Sequence, residues 1–172
     1  MSDKSVIEAE PVSFGARLAG SQVFSVLFRD GMSLVEETAG YLDGDGRRDS
    51  KALERSAALA YATESMRLTT RLMQLASWLL LHRAVNEGEM SLAQANKEKA
   101  KVKLAANERA DDDMVSLLPE RLRDLIARSV RLQERVRRLD STIHSPAVVE
   151  AAKNPVERQV SLLRAAFERE GS

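Results

Sequence analysis

The stretch AYATESMRLTTRLMQLASWLLLHRAVNEGEMS, Ala60 to Ser91, reads as one helix almost to its end. Leu68, Leu72, Leu75 and Leu79 recur at four-three-four spacing and form a single stripe. Met66, Met73, Leu80 and Leu81 fall beside or behind that stripe. A helix that is apolar over much of its circumference wants cover from more than one side. In a chain of 172 residues, a second copy of itself or another protein could supply part of the cover. Met66, Met73, Leu80 and Leu81 are therefore the candidate dimer surface.

Upstream, residues 1–12 are polar and are expected to form a flexible N-terminus. Phe14, Leu18, Phe24, Leu27, Phe28, Leu34, Val35 and Leu42 predict a first helix from about Phe14 to Leu42. Gly20 and Gly31 weaken it, each by roughly 1 kcal/mol relative to Ala. The turn residues of DGDGRRD, Asp43 to Asp49, predict a loop, and Ser50 predicts the N-cap of a second helix over 51–86. Gly88 stands where a helix C-terminal glycine belongs.

Downstream, Ser91 and Gln94 fit a capping box for a lesser helix over about 92–106. That segment reads equally as a continuation of the second helix past a kink. The acidic run 107–116 reads as a loop, and Pro119 suits the first turn of another helix. There Leu118, Leu122, Leu125, Ser129, Leu132, Val136, Leu139 and Ile143 alternate four and three, a heptad seam interrupted only by Ser129. Pro146 ends it. Val156, Val160, Leu163 and Phe167 form a last stripe, too short to hold as a helix alone in water. The expectation is an all-α fold, an antiparallel three-helix bundle over residues 13–144. Residues 145–172 follow as a flexible or weakly helical tail.

Composition agrees. Aromatics make up only 4%, with 4 Pro and 8 Gly, and the chain leans on the helix formers Ala, Leu, Arg and Glu. The 26 basic and 26 acidic side chains balance, where a nucleic-acid or anionic-membrane binder shows a basic excess. Cysteine is absent, which excludes disulfides, zinc-thiolate sites and a cysteine nucleophile. The first residues lack the apolar core of a signal peptide, and the bulky run Trp78 to Leu81 is far short of a membrane span. A soluble cytoplasmic protein is expected.

Candidate chemistry is sparse. His82 continues the helix-two stripe without a second ligand at helical spacing, which speaks against a metal site. Asp43, Asp45 and Glu54 take the first, third and twelfth places of a calcium loop, but Arg47 and Arg48 occupy a ligand slot and the turn glycine. Glu36, Glu37 and Glu64 would need raised pKa values in a cleft to act as acids or bases, and arginines abound to pair with them. No phosphate loop, nucleophile elbow or dinucleotide fingerprint is present. No catalytic residue, cofactor or metal is expected. Over 120–144, seven arginines stand against four acids, and Arg128, Arg131 and Arg135 share one face. They either pair acids on neighbouring helices or form a docking face for an acidic segment or a phosphate-bearing ligand. Glu64, Arg67 and Arg71 read as an exposed charge ladder or as the polar rim of an apolar patch.

Three stretches together resemble the RcdA family, regulators of CtrA degradation in the bacterial cell cycle. They are SFGARLAGSQVFSVLFRDGMSLVEETAGYLDGDGRRDSKAL, LAYATESMRLTTRLMQLASWLLLHRAVNEGEMS and LLPERLRDLIARSVRLQERVRRLD. The resemblance covers roughly 13–144 and the tail segment NPVERQVSLLRAAFE. It implies a homodimeric three-helix bundle that delivers cell-cycle regulators, including the transcription factor CtrA, to the ClpXP protease. The implied partners are a CpdR-like response regulator and a PopA-like adaptor that binds cyclic di-GMP, with concentration at a cell pole. No short catalytic motif carries over. Candidate partner-binding residues are Arg128, Arg131 and Arg135 with Val160, Leu163 and Phe167 of the tail. A purely structural or polar-localisation scaffold is the alternative, and a DNA-linked regulator a weaker one.

Overall fold

The structure, a computed structural model, describes residues 21–101 and 112–144. Six helices stand among them: α1 (Gln22–Asp43), α2 (Asp45–Lys51), α3 (Arg55–Asn86), α4 (Leu92–Lys101), α5 (Asp112–Val115) and α6 (Glu120–His144). The fold is all-α, as the sequence predicts. The long helices α1, α3 and α6 pack against one another around one core.

The three stripes meet as their spacing requires. Phe24, Leu27, Leu34 and Tyr41 come from α1; Leu68, Leu72, Leu75 and Leu79 come from α3. Every position of the α6 seam is buried, including Ser129. Phe14 and Leu18 of the first stripe lie outside the described residues. Trp78 completes the core from α3, 6.3 Å from the Phe24 ring, and its indole N–H donates to Asp140 on α6 at 2.8 Å.

Directions follow from the cross-helix pairs. Glu37 meets Arg128 and Asp30 meets Arg135, so α1 and α6 are antiparallel. Arg71 meets Ser129 and Trp78 meets Asp140, so α3 and α6 run the same way. The antiparallel arrangement therefore holds for α1 against its partners, while α3 and α6 are parallel. The short helices α4 and α5 lie against α3 on the path between them.

Four local expectations change. DGDGRRD is not a loop: α1 stops at Gly44 and a short helix begins at once. Asp45 in its first turn and Arg48 and Lys51 in its last complement the helix dipole. The Tyr41 hydroxyl donates to Asp49 at 2.8 Å and ties the short helix back to α1. Ser50 caps nothing; its hydroxyl donates to the Arg47 carbonyl, and Glu54 stands at the N-cap of α3. Asp112–Val115 is one helical turn inside the segment read as loop. Pro119 precedes the first helical residue, and its carbonyl accepts from the Arg123 N–H at 3.1 Å.

The end of α3 follows its sequence signals. Gly88 has φ +74°, its N–H donates to the Val85 carbonyl, and the Glu89 N–H donates to the Ala84 carbonyl. This is the paired closure of a Schellman motif, which spends two orphan carbonyls. The Ser91 hydroxyl then accepts from the Gln94 N–H at 3.2 Å, so α4 is a separate, newly capped helix.

Gly31 is more than a weak point in α1. A Cβ there would lie 2.5 Å from Leu79 Cδ1 and 3.6 Å from Leu132 Cδ2, so its missing side chain lets all three helices close. Gly40 has nothing within 4 Å of the same position. Gly40→Ala is expected to raise stability by about 0.5–1 kcal/mol through helix propensity. Gly31→Val is expected to lower it by about 1–3 kcal/mol through overpacking. Paired urea unfolding curves check both; equal shifts of one sign would contradict the close packing.

Candidate interaction surfaces

α3 is apolar on two opposite faces. The buried face carries the leucine stripe. On the other, Leu59, Met66, Met73 and Leu80 are half to three-quarters exposed (66%, 72%, 66% and 52%). They stand seven residues apart, with exposed Ala62, Thr69 and Thr70 between them. Large apolar side chains at heptad spacing with small ones between are how a helix presents a seam to another helix. The structure thus brings Met66, Met73 and Leu80 into one line and adds Leu59, which the sequence reading missed. The seven-residue interval from Leu59 to Met66 was the available signal. Leu81 is half-buried beside the line, where it, Ser77, Leu80 and Ala84 border an open notch against Glu98 and Lys101 of α4.

The arginines of α6 divide by partner. Arg128 grips Glu37 of α1 in a two-pronged pair at 2.7 and 2.9 Å, with Asp124 further off at 3.4 Å. Arg135 pairs Asp30 of α1 at 3.1 Å. Arg131 pairs nothing among the described residues, although it borders the same groove between α1 and α6. Two of the three candidate arginines therefore bridge α1 and α6, and the third has no ion pair with any described residue. Val160, Leu163 and Phe167 lie outside the described residues.

The Ser129 interruption of the seam has a partner. Its hydroxyl donates to the Ile126 carbonyl at 2.7 Å and accepts from Arg71 of α3 at 2.9 Å. Glu64 is buried and pairs Arg67 at 2.8 Å, so this set is no exposed ladder. Burial lowers the pKa of the Arg71 guanidinium, and the nearby Glu64 charge opposes that shift. Buried polar groups are retained when such partners satisfy them. His82 is buried against Trp78, ring centroids 4.1 Å apart, as a core histidine.

Several of the candidate acids pair with cations of this chain. Asp43 pairs Arg47 at 3.2 Å, and Asp45 pairs Arg48 and reaches Arg121. Those acids are neutralised by the cations that occupy the would-be calcium loop. Among the described residues no group of three or more His, Asp or Glu side chains is placed to hold a metal ion. Glu37 is held below its ordinary pKa, chiefly by the hydrogen bond from Arg128, the opposite of what a general acid needs. No helix among the described residues is long and apolar enough to cross a membrane.

The molecule belongs to the class of all-α helical bundles, and its described residues expose an apolar face on α3 and an arginine-lined groove between α1 and α6. A family model described as a protein of unknown function (DUF1465) matches residues 15–167. The crystal structure of RcdA from Caulobacter crescentus CB15 aligns with a TM-score of 0.63 at 52% identity, covering 77% of this chain and 99% of that one. The chain belongs to this family, the DUF1465 family that includes RcdA. No curated protein matches it.

The Glu37–Arg128 pair sets a pH dependence. The carboxyl has a depressed pKa in the folded state. Its contribution is therefore complete above the unfolded carboxylate value and is lost as pH falls through the folded value. Glu37→Gln should cost no more than about 1 kcal/mol at neutral pH, because the pair is partly solvated. The gap between variant and parent should shrink as denaturation is followed down to about pH 3. A gap that widens on acidification would contradict the assignment.

Proposed function

We propose that this protein is a non-enzymatic, dimeric adaptor that helps deliver cell-cycle regulators, CtrA among them, to the ClpXP protease. Family membership at 52% identity to RcdA carries the reading. The chain would break no bond. It would hold cargo and co-adaptors on one body, with the protease doing the cutting. The co-adaptors are a CpdR-like response regulator and a PopA-like protein that binds cyclic di-GMP. Tethering raises effective concentration, to about millimolar for short connections, without any new contact chemistry. The site of action is cytoplasmic and concentrated at a cell pole.

Two surfaces suit these tasks. The exposed line of Met66, Met73 and Leu80 is apolar at heptad spacing, which favours a second copy of the same helix. For partners the reading assigns Arg131 of the arginine face, since Arg128 and Arg135 already pair acids of α1, together with the tail residues Val160, Leu163 and Phe167. Neither surface requires an enzyme-like cleft.

In a reconstituted ClpXP reaction with the co-adaptors, adding this protein should speed CtrA turnover. Unchanged turnover sinks the adaptor reading and leaves a localisation scaffold. Replacing Met66, Met73 and Leu80 together with Glu should convert a dimer to a monomer in sedimentation at micromolar concentration. Helicity should be retained, because these side chains lie outside the core. A parent that sediments as a monomer, or a variant that stays dimeric, removes this face from the interface.

A further inference from the structure

The outer face of α3 permits a sharper statement, which rests on the reading of that face as a surface for a second copy of this chain. No exposed residue of α3 between Leu59 and Leu80 carries a charge, in a chain that is 30% charged. The charged residues of that span are engaged within the molecule. Glu64 is buried and pairs half-buried Arg67, and Arg71 donates to Ser129 of α6. What the face offers to solvent is Leu59, Met66, Met73 and Leu80, with Ala62, Thr69 and Thr70 between them. At the helical rise the line from Leu59 to Leu80 runs about 31 Å.

This line reads the same from either end. Its centre falls between Thr69 and Thr70, and reversing the helix about that centre sets Leu59 opposite Leu80 and Met66 opposite Met73. A two-fold dimer demands such self-complementarity. Small side chains at the centre let two backbones approach, and the methionines on either side can interdigitate over them. The two ends differ in shape. At the Leu80 end, Ser77, Leu80, Leu81 and Ala84 border an open notch of about 500 Å³, with Glu98 and Lys101 of α4 as its far wall. The apolar residues of that notch are exposed or half-buried, so their surface is available. At the other end Leu59 projects, 66% exposed. A leucine from a second copy is the group that the notch can seat.

Direction follows from what each arrangement brings together. In a parallel pair every residue meets its own copy. Arg55 would then face Arg55, like helix ends would lie together, and both α4 helices would crowd one end of the seam. In an antiparallel pair, Arg55 comes level with Ala84 of the second copy, one turn from the exposed acid Glu87. Arg55 has no ion pair with any described residue. Glu87 pairs Arg83 at 2.8 Å, and a carboxylate accepts from more than one donor. We propose that two copies of this chain pair antiparallel through α3, with the two-fold axis between Thr69 and Thr70 and Leu59 of each copy seated in the α3–α4 notch of the other. The short helix α4, whose one buried residue is Ala95, thereby forms a wall of the interface.

The chain has no cysteine, so a single introduced thiol reports its position without background. Full-length Leu59→Cys and Leu80→Cys proteins are treated with a short bismaleimide, each alone and as an equal mixture after subunit exchange. The mixture should give a covalent dimer joining positions 59 and 80. Each variant alone should stay unlinked, because its two thiols lie about 31 Å apart along the seam. Thr69→Arg combined with Thr70→Arg crowds guanidinium groups at the axis and should weaken the dimer about tenfold or more, with helicity unchanged. Self-linking of either single variant to the extent of the mixture marks a parallel pair and overturns the proposal while self-association through α3 stands. A parent that sediments as a dimer yet links in none of these samples overturns it and removes α3 from the interface. So does a doubly substituted protein that dimerises as tightly as the parent. A monomeric parent overturns it together with the dimer reading.

Discussion

The bundle depends on one close approach, where Leu79 of α3 fills the space left by the missing side chain of Gly31 on α1, with Leu132 of α6 beside it. Leu79 is fully buried there, and Leu132 nearly so. Around this point the three stripes come into register, because each repeats at three and four residues and packs at shallow angles. Dispersion in such a contact is small per atom pair and large over a whole leucine. The same closeness brings the charged rims of α1 and α6 within reach, so that Glu37 meets Arg128 and Asp30 meets Arg135. Their pairing is a consequence of the packing, and it adds direction to a core that has none of its own.

Much of this was legible in the chain before any coordinates. The leucines of α3 and the α6 seam are buried at every named position, since periodicity reports directly on burial. Gly88 and the Ser91–Gln94 pair end one helix and start the next for reasons that are local and chemical. The failures are also physical. DGDGRRD has loop-like residues, yet its acid-first, base-last order and the Tyr41–Asp49 hydrogen bond make a helix of it. Propensity assigns Gly31 a cost, and only a neighbouring helix turns that cost into a fit. Ser129 reads as a flaw in the seam because its partner, Arg71, lies 58 residues away. Among the arginines, periodicity put Arg128, Arg131 and Arg135 on one face but could not say which had acids opposite.

α3 carries two apolar faces with different fates. One face is spent on the core and is insensitive to partners. The other exposes Leu59, Met66, Met73 and Leu80 to water, and a contiguous exposed apolar patch of this kind carries a cost in solubility. Two of the four are methionines, whose unbranched thioethers adapt to more than one packing partner. Small residues between them let another helix come close. A surface of this kind suits self-association better than catalysis, because it supplies area and no directed polar group.

The charges point the same way by a different route. In a chain with 26 cations and 26 anions, most guanidinium groups can find an internal acid, and on α6 two of the groove arginines do. What an arginine does in a bundle is then decided by the residue on the facing helix. Glu37 and Asp30 stand opposite Arg128 and Arg135, and each neutral pair bridges α1 and α6. Arg131 faces a wall that carries Arg29 and Ser33, so its charge has no answer on α1. Like charges across a groove repel and are tolerated only where water screens them. Arg29 and Arg131 are both exposed, so water supplies that screening here.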